Sequence, residues 1–370
     1  MAKDIKTSCP GFRTRALLPL FCLGLAIAQS ADARDEITAD GYEWRKGDWS
    51  LTCDNTRTCR VVYGNEERLF DDPHPGVTLL FTQPAGPAPL APMEAKAVGP
   101  DGEIEKFDID GMWLDQPGHP APGDPATLLA QAAEATTLFI RIRLPDGSSG
   151  VSQVRLQGLK AVLLKLDDVQ HRAGTRLALV AKGAEAADKV LPALAPPVIK
   201  AVPFKMTLLD APQFPQQTAD RLLQQAGDWL RAAKLGVLCE MAESPLLGVS
   251  AELWVLSQAC TSGAGYNQTR HWWLGHPSSA ANAPSAGAQA TLQGVVWEEI
   301  PALGELDDGE FSLSYKGRGI GDCMGGETWV YTQDHRWAKS SHFAAGPCVG
   351  IIGGPWELPT FVTKLERSPR

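Results

Sequence analysis

The stretch GRGIGDCMGGETW, Gly317 to Trp329, concentrates residues that do chemistry: five glycines around Arg318, Asp322 and Cys323. Three chemistries compete for it. Dense glycine can cradle a phosphate, but such a loop follows a strand, opens a helix and usually ends in lysine. Here Thr328–Tyr331 reads as a strand, and no G-x-x-x-x-G-K-[ST] occurs. Cys323 as a nucleophile needs a free thiol and a positioned base. The third reading is a tight turn held by a disulfide to Cys348, with glycines supplying positive φ and Arg318 pairing with Asp322. We favour the third.

Other catalytic patterns are thin. There is no H-E-x-x-H and no G-x-S-x-G. His271 and His276 flank WWLG, and His335 and His342 share a predicted hairpin, where they read as bystanders. FDIDGMWLD, Phe107–Asp115, echoes a calcium loop. Lys106 stands at its first ligand position and Pro117 at its last, so it is rejected. No cofactor and no metal is expected. Trp272, Trp273, Trp329, Tyr331 and Trp337 lie on predicted strands. Alternation turns Trp272 and Trp273 to opposite faces, which leaves one outside a core. A tryptophan beside Arg318 and Asp322 can stack on a sugar or anchor a peptide.

The compartment follows from the N-terminus and the cysteines. Lys3, Lys6, Arg13 and Arg15 precede the apolar run Ala16–Ala28, with A-x-A patterns at Ala26/Ala28 and Ala31/Ala33. This predicts a signal peptide over 1–28, cleaved after Ala28 or alternatively after Ala33, and a periplasmic or secreted protein. No later stretch is long and apolar enough for a membrane span. Two of the 8 cysteines leave with the signal. Cys53, Cys59, Cys239, Cys260, Cys323 and Cys348 remain, an even set. Proximity pairs them as Cys53–Cys59, Cys239–Cys260 and Cys323–Cys348, one of 15 possible schemes. Zinc is the competing use of the thiols, but C-x-x-C is absent. The formal charge of −9 becomes about −12 once residues 1–28 are removed, which disfavours nucleic acid and anionic lipid as partners.

The elements that must position these residues read as α+β: two domains of mainly antiparallel strands, each with one or two helices, stapled by disulfides. The N-terminal domain spans 36–182, an Ala/Pro-rich linker 183–200, and the C-terminal domain 201–370. In the first, strands are expected at 48–53, 58–63, 76–82, 94–98, 104–109, 137–143 and 175–181. Helices are expected from Pro125, capped by Asp124, and over 159–170, where Leu159, Val162, Leu163 and Leu166 share a face. In the second, a helix over 219–235 precedes strands at 252–258, 266–273, 291–300, 310–315, 328–332 and 361–364.

CDNTRTC (Cys53–Cys59), LQGLKAVLLKLDDVQHRAGT (Leu156–Thr175), CTSGAGYN (Cys260–Asn267) and KGRGIGDC (Lys316–Cys323) together resemble the secreted proteobacterial family called domain of unknown function 1176. The likeness runs from about Trp49 to Glu357. It departs at Gly265, at Met324 and in the hairpin WVYTQDHRW. The first half is also distantly similar to the invasion-associated locus B family. The resemblance implies an envelope protein and brings no catalytic residues. Three functions follow as expectations. The first is a non-enzymatic binding protein for an envelope protein or glycan. The second is an envelope hydrolase near Asp322, Arg318 and His271. The third is a factor at a host interface.

Overall fold

The protein is described from a computed structural model. Side chains are described for residues 36–64, 76–97, 106–116, 120–202, 310–334, 336–351 and 353–367. Strand backbone alone is described at 98, 104–105, 207–209, 237–238, 246–249, 254–262, 268–277, 289–292, 295–299 and 305–307. Mostly antiparallel strands build it, with two α-helices among the described residues.

Six strands form a meander in sequence order: β1 (Tyr42–Lys46), β2 (Trp49–Cys53), β3 (Cys59–Tyr63), β4 (Gly76–Gln83), β5 (Glu94–Val98) and β6 (Ile104–Glu105). Alternation sets its inner face: Trp49, Leu51, Val61, Tyr63, Leu79 and Phe81 are buried in one core. A second sheet of three strands follows: β7 (Asp108–Leu114), β8 (Thr137–Arg143) and β9 (Ser149–Arg155). It adds Leu138, Ile140, Ile142 and Val154 to the same core. Helix α1 (Pro125–Ala132) starts where expected, because the Asp124 carboxylate accepts the Thr127 N–H at 2.8 Å and Pro125 needs no donor partner in the first turn. Helix α2 (Leu159–Val169) buries Leu159, Val162, Leu163 and Leu166 against the first sheet's core. Each such side chain stabilises the fold by about 1.5–3 kcal/mol.

The expected strand at 175–181 is absent; those residues form turns and a lone bridge from Thr175 to Glu185. The reason is a side chain. Asp167, fully buried, accepts the N–H groups of Leu179, Val180 and Ala181 at 2.8, 2.9 and 3.0 Å, so no neighbouring strand is needed. The Ala/Pro-rich segment after it is laid against the preceding residues. Leu191 donates to Gln170 O at 3.1 Å and Leu194 to Thr56 O at 3.3 Å, and Val190 is buried. It ends in β10 (Val198–Ala201).

Seven strands of the second half form one antiparallel sheet: β11 (Thr207–Leu209), β12 (Val237–Leu238), β13 (Leu246–Val249), β14 (Trp254–Ser262), β15 (Gln268–Pro277), β16 (Gln289–Leu292) and β17 (Val295–Glu299). The single strand expected at 291–300 is thus a pair, with Leu292 opposite Val295. The helix expected at 219–235 lies outside the described residues. A five-stranded sheet follows in sequence order: β18 (Glu305–Asp307), β19 (Glu310–Lys316), β20 (Met324–Tyr331), β21 (Trp337–Ala344) and β22 (Leu358–Val362). Finally β23 (Lys364–Arg367) pairs in parallel with β10.

The outer face of the first sheet is covered in turn. Val62 and Leu80 pack with Ala344, Trp356 and Leu358 in a second, smaller core. Lys96 donates to Pro355 O and lies 4.4 Å from the Trp356 ring centroid.

Candidate functional site

The glycine-rich loop joins β19 to β20, and its polar groups are directed inward. Asp322 is completely buried. Arg318 meets it with both arms of its guanidinium: Nε donates to Oδ1 at 3.0 Å and Nη2 donates to Oδ2. The Gly350 N–H donates to the same Oδ2 at 2.7 Å. Cys323 is bonded to Cys348, and Gly317 N–H closes the loop on Cys323 O at 2.8 Å. The carboxylate and the disulfide therefore fasten this loop to the 348–350 segment at two adjacent points.

The glycines have different tasks from the ones their density implies. Only Gly321 among the loop glycines has a left-handed φ, +72°. Gly325 and Gly326 sit inside β20, not in a turn. A Cβ on Gly325 would fall 2.3 Å from the Tyr315 hydroxyl, and one on Gly326 would fall 2.8 Å from Phe343. Gly317 is similarly closed by the Cys323 sulfur at 2.7 Å. An aromatic ring laid over a strand glycine restores the packing that the glycine lacks. Tyr315 titrates above its ordinary value, first because it is partly buried and then because Glu43 and Glu327 lie near.

Asp322, Cys323 and Cys348 also place three ligand-type atoms within 4.8 Å of one another. The two sulfurs are bonded to each other and the carboxylate already serves Arg318 and Gly350, so the set does not fit a metal.

Trp329 pairs with Phe311 and Lys339 in β20, half-buried. Trp272 and Trp273 hold successive places in β15, opposite Ser257 and Leu256, and His271 pairs with Gln258. Their side chains lie outside the described residues. So do Cys239 and the side chain of Cys260, which stands opposite Thr269. His342 approaches Thr360 Oγ1 at 2.5 Å, but Thr360 is 1% exposed and cannot meet a substrate.

A second polar centre was not legible as such. Cys53 and Cys59 are joined, and Asp54 within their loop accepts from Thr56 N at 2.9 Å and from Arg60 at 2.9 Å. Asn55 acts as a short strand. Its Nδ2 donates to Val362 O at 3.0 Å, and its Oδ1 accepts Val362 N at 2.8 Å. Gln170 donates to Arg57 O at 2.7 Å. Arg172, 2% exposed, donates to Gln170, Leu177 O, Pro84 O and Gly86 O. Burial pushes the Arg172 pKa down and the Asp167 pKa up, while the three N–H groups on Asp167 and the charge of Arg172 pull Asp167 back. CDNTRTC and DDVQHRAGT are thus two sides of one buried junction.

The described residues also frame two clefts. One, of about 280 Å³, lies between Glu43, Arg45, Ser50 and Thr52 on β1–β2 and the turn at Gly346–Pro347. The other, of about 570 Å³, is bordered by Ile109, Gly111, Trp113, Pro120 and Arg141.

The disulfides accord with an oxidising, extracellular or periplasmic setting. No helix among the described residues is long and apolar enough to cross a membrane, which leaves membrane-crossing strands unaddressed. No solved structure matches the chain. It is 25% identical over 335 residues to the uncharacterized protein YpfG of Escherichia coli (strain K12), covering 85% of this chain and 90% of that one. The sequence profile described as "Protein of unknown function (DUF1176)" matches residues 45–363, and the chain belongs to that family.

Proposed function

We propose that this is an exported, non-enzymatic binding protein of the cell envelope, released into the periplasm after removal of residues 1–28. It would take another envelope component, a protein or a glycan, on its second half. On this reading residues 36–182 and 201–370 act as two domains flanking the 183–200 segment.

The observation that supports it is the use made of Asp322. A catalytic carboxylate needs a free oxygen facing substrate. Here Oδ1 accepts from Arg318, and Oδ2 accepts from both Arg318 and Gly350. The same contacts hold a rigid lip on which Tyr315 (37%) and Ile320 (44%) stay exposed. A pre-organised lip loses little entropy on binding, which is what a recognition surface requires.

The test is capture of envelope components by the intact, oxidised protein, compared with Ile320→Asp. Loss of a specific partner at unchanged melting temperature supports the lip as the binding edge. Retention of every partner moves the surface elsewhere, and turnover of an envelope glycan or peptide by the purified protein overturns the non-enzymatic reading.

A further inference from the structure

The larger of these two clefts is lined by residues of the first half and shares none with the lip. Its shape follows from one missing side chain. Across the outer face of the three-stranded sheet, Trp113 stands opposite Phe139, and Gly111 stands opposite Arg141. Because Gly111 carries no side chain, the space above it is open; the nearest atom to a Cβ placed there is on Trp113, 4.0 Å away. Arg141 leans across this gap and sets its guanidinium 5.2 Å from the Trp113 ring centroid. Phe139 stacks on the same indole, 5.8 Å between centroids and 9° from parallel. The residues at 120–121 form the far wall, held by Ala121 N–H on Met112 O at 2.7 Å.

The charges are unequally satisfied. Asp110 gives Oδ1 to Arg143 at 2.5 Å. Arg141 is exposed, and among the described residues its guanidinium makes one contact, with the Trp113 ring. A guanidinium resting over an indole spends none of its N–H donors on a hydrogen bond, and its forked edge matches a carboxylate with two parallel bonds. Asp110 keeps Oδ2 as an acceptor for a hydroxyl. The apolar rim, Ile109 and Pro120 with the indole edge, suits the C–H face of a sugar ring. A cleft of about 570 Å³ is in the range of small-ligand sites.

We infer that this cleft binds a saccharide bearing a carboxylate, with Arg141 receiving the carboxylate and Asp110 a ring hydroxyl. A peptide is the poorer fit. Strand addition needs free backbone on β7, and at Met112–Trp113 that edge is taken by Ala121 and Pro120.

Titration calorimetry and saturation-transfer NMR on the full, oxidised protein test this. The probes are digalacturonate, N-acetylmuramate, neutral cellobiose and the peptide carboxylate acetyl-dialanine. Saturable binding of at least one acidic saccharide is expected, weakened about tenfold or more by Arg141→Gln, with cellobiose weaker by a similar factor. Arg141 is at the surface, so the variant keeps its fold, and an unchanged near-UV spectrum checks that. No saturable binding of either acidic saccharide, equal binding of cellobiose, equal or tighter binding of acetyl-dialanine, or indifference to Arg141→Gln each overturns the proposal. The outcome is separate from that of the Ile320 test.

Discussion

The indole Nε1 of Trp356 donates to Thr78 Oγ1 at 3.0 Å, joining residues 278 positions apart in sequence. The Thr78 hydroxyl passes the interaction on, donating to Tyr63 O at 2.6 Å. All three groups belong to the interface where the last part of the chain covers the first sheet. Thr78→Val keeps the volume but leaves the Trp356 indole N–H without its acceptor in a dry place. It is expected to cost about 1–3 kcal/mol in urea unfolding. A cost near zero would mean that water reaches this interface.

Arg318→Ala and Asp322→Ala should be unequal. Removing the arginine leaves a fully buried carboxylate with Gly350 N–H as its remaining partner, an expected loss of about 3–5 kcal/mol. Removing the carboxylate frees a half-exposed guanidinium to reach solvent and costs about 1–3 kcal/mol for the orphaned Gly350 N–H. Equilibrium denaturation of the two variants gives the order. The reverse order would mean that the carboxylate is not the costlier of the two groups to leave without its partner.

Asp167→Asn isolates the other buried carboxylate. Its two oxygens accept three backbone N–H groups, and an amide must turn its NH₂ toward at least one of them. Destabilisation of about 1–3 kcal/mol is expected. Hydrogen exchange should show faster loss of protection at Leu179–Ala181 than in α2. Uniform loss would mean that the 179–181 segment does not open separately.

Acid should weaken the fold through surface turns. Asp115 is held below its ordinary value of 3.8, first by the Thr136 hydroxyl and then by the N–H groups of Thr136 and Thr137. Asp124 is lowered first by the Thr127 hydroxyl and then by the Thr127 N–H. A depressed folded pKa gives stability that is present above the unfolded value and lost as pH falls through the folded one. Asp167 acts in the opposite sense: burial raises its pKa, so its share is lost as pH rises through the raised value. Chemical denaturation between about pH 5 and pH 2 should show falling stability, with a shallower slope in Asp115→Asn and Asp124→Asn. An unchanged slope in both variants would show that these bonds do not persist in solution.

The crosslinks differ in reach. Cys53 and Cys59 are 6 residues apart, Cys323 and Cys348 25 apart. Loop entropy gives about 2 kcal/mol for the first and about 3.5 kcal/mol for the second. Non-reducing peptide mapping should recover both, together with Cys239–Cys260, and Cys323→Ser/Cys348→Ser should unfold at lower urea than Cys53→Ser/Cys59→Ser. Free thiols throughout would overturn the crosslinks and the compartment argument together.

What was legible in the sequence depended on how local the cause was. The α1 start needs only Asp124 and Pro125, and α2 needs only its apolar stripe, so both could be read directly. Strand β8 alternates cleanly, and its expected and observed bounds coincide at Thr137–Arg143. Strand β9, SGVSQVR, has one glycine and weak alternation, and β1 is an edge strand with a polar outer face, so neither announces itself in the sequence. The glycines of β20 argued for a turn because the rings that cover them, Tyr315 and Phe343, come from neighbouring strands. FDIDGMWLD could be dismissed as a calcium loop, but nothing local announced that Gly111 would open a cleft beside Trp113 and Arg141. That arrangement exists only once β7 and β8 are paired.

The cover on the first sheet has a consequence for how the chain matures. Val62, Leu80 and Thr78 are complete early, yet the residues that shield them, Ala344, Trp356 and Leu358, lie near the end of the sequence. Asn55 likewise waits for Val362, and β10 for β23. During synthesis a nascent chain must therefore carry a bare apolar patch until residues 344–362 emerge. Such a patch is a binding site for holdase chaperones and a nucleus for aggregation. Truncation shortly before residue 356 should leave a protein that collapses but never sheds its chaperone.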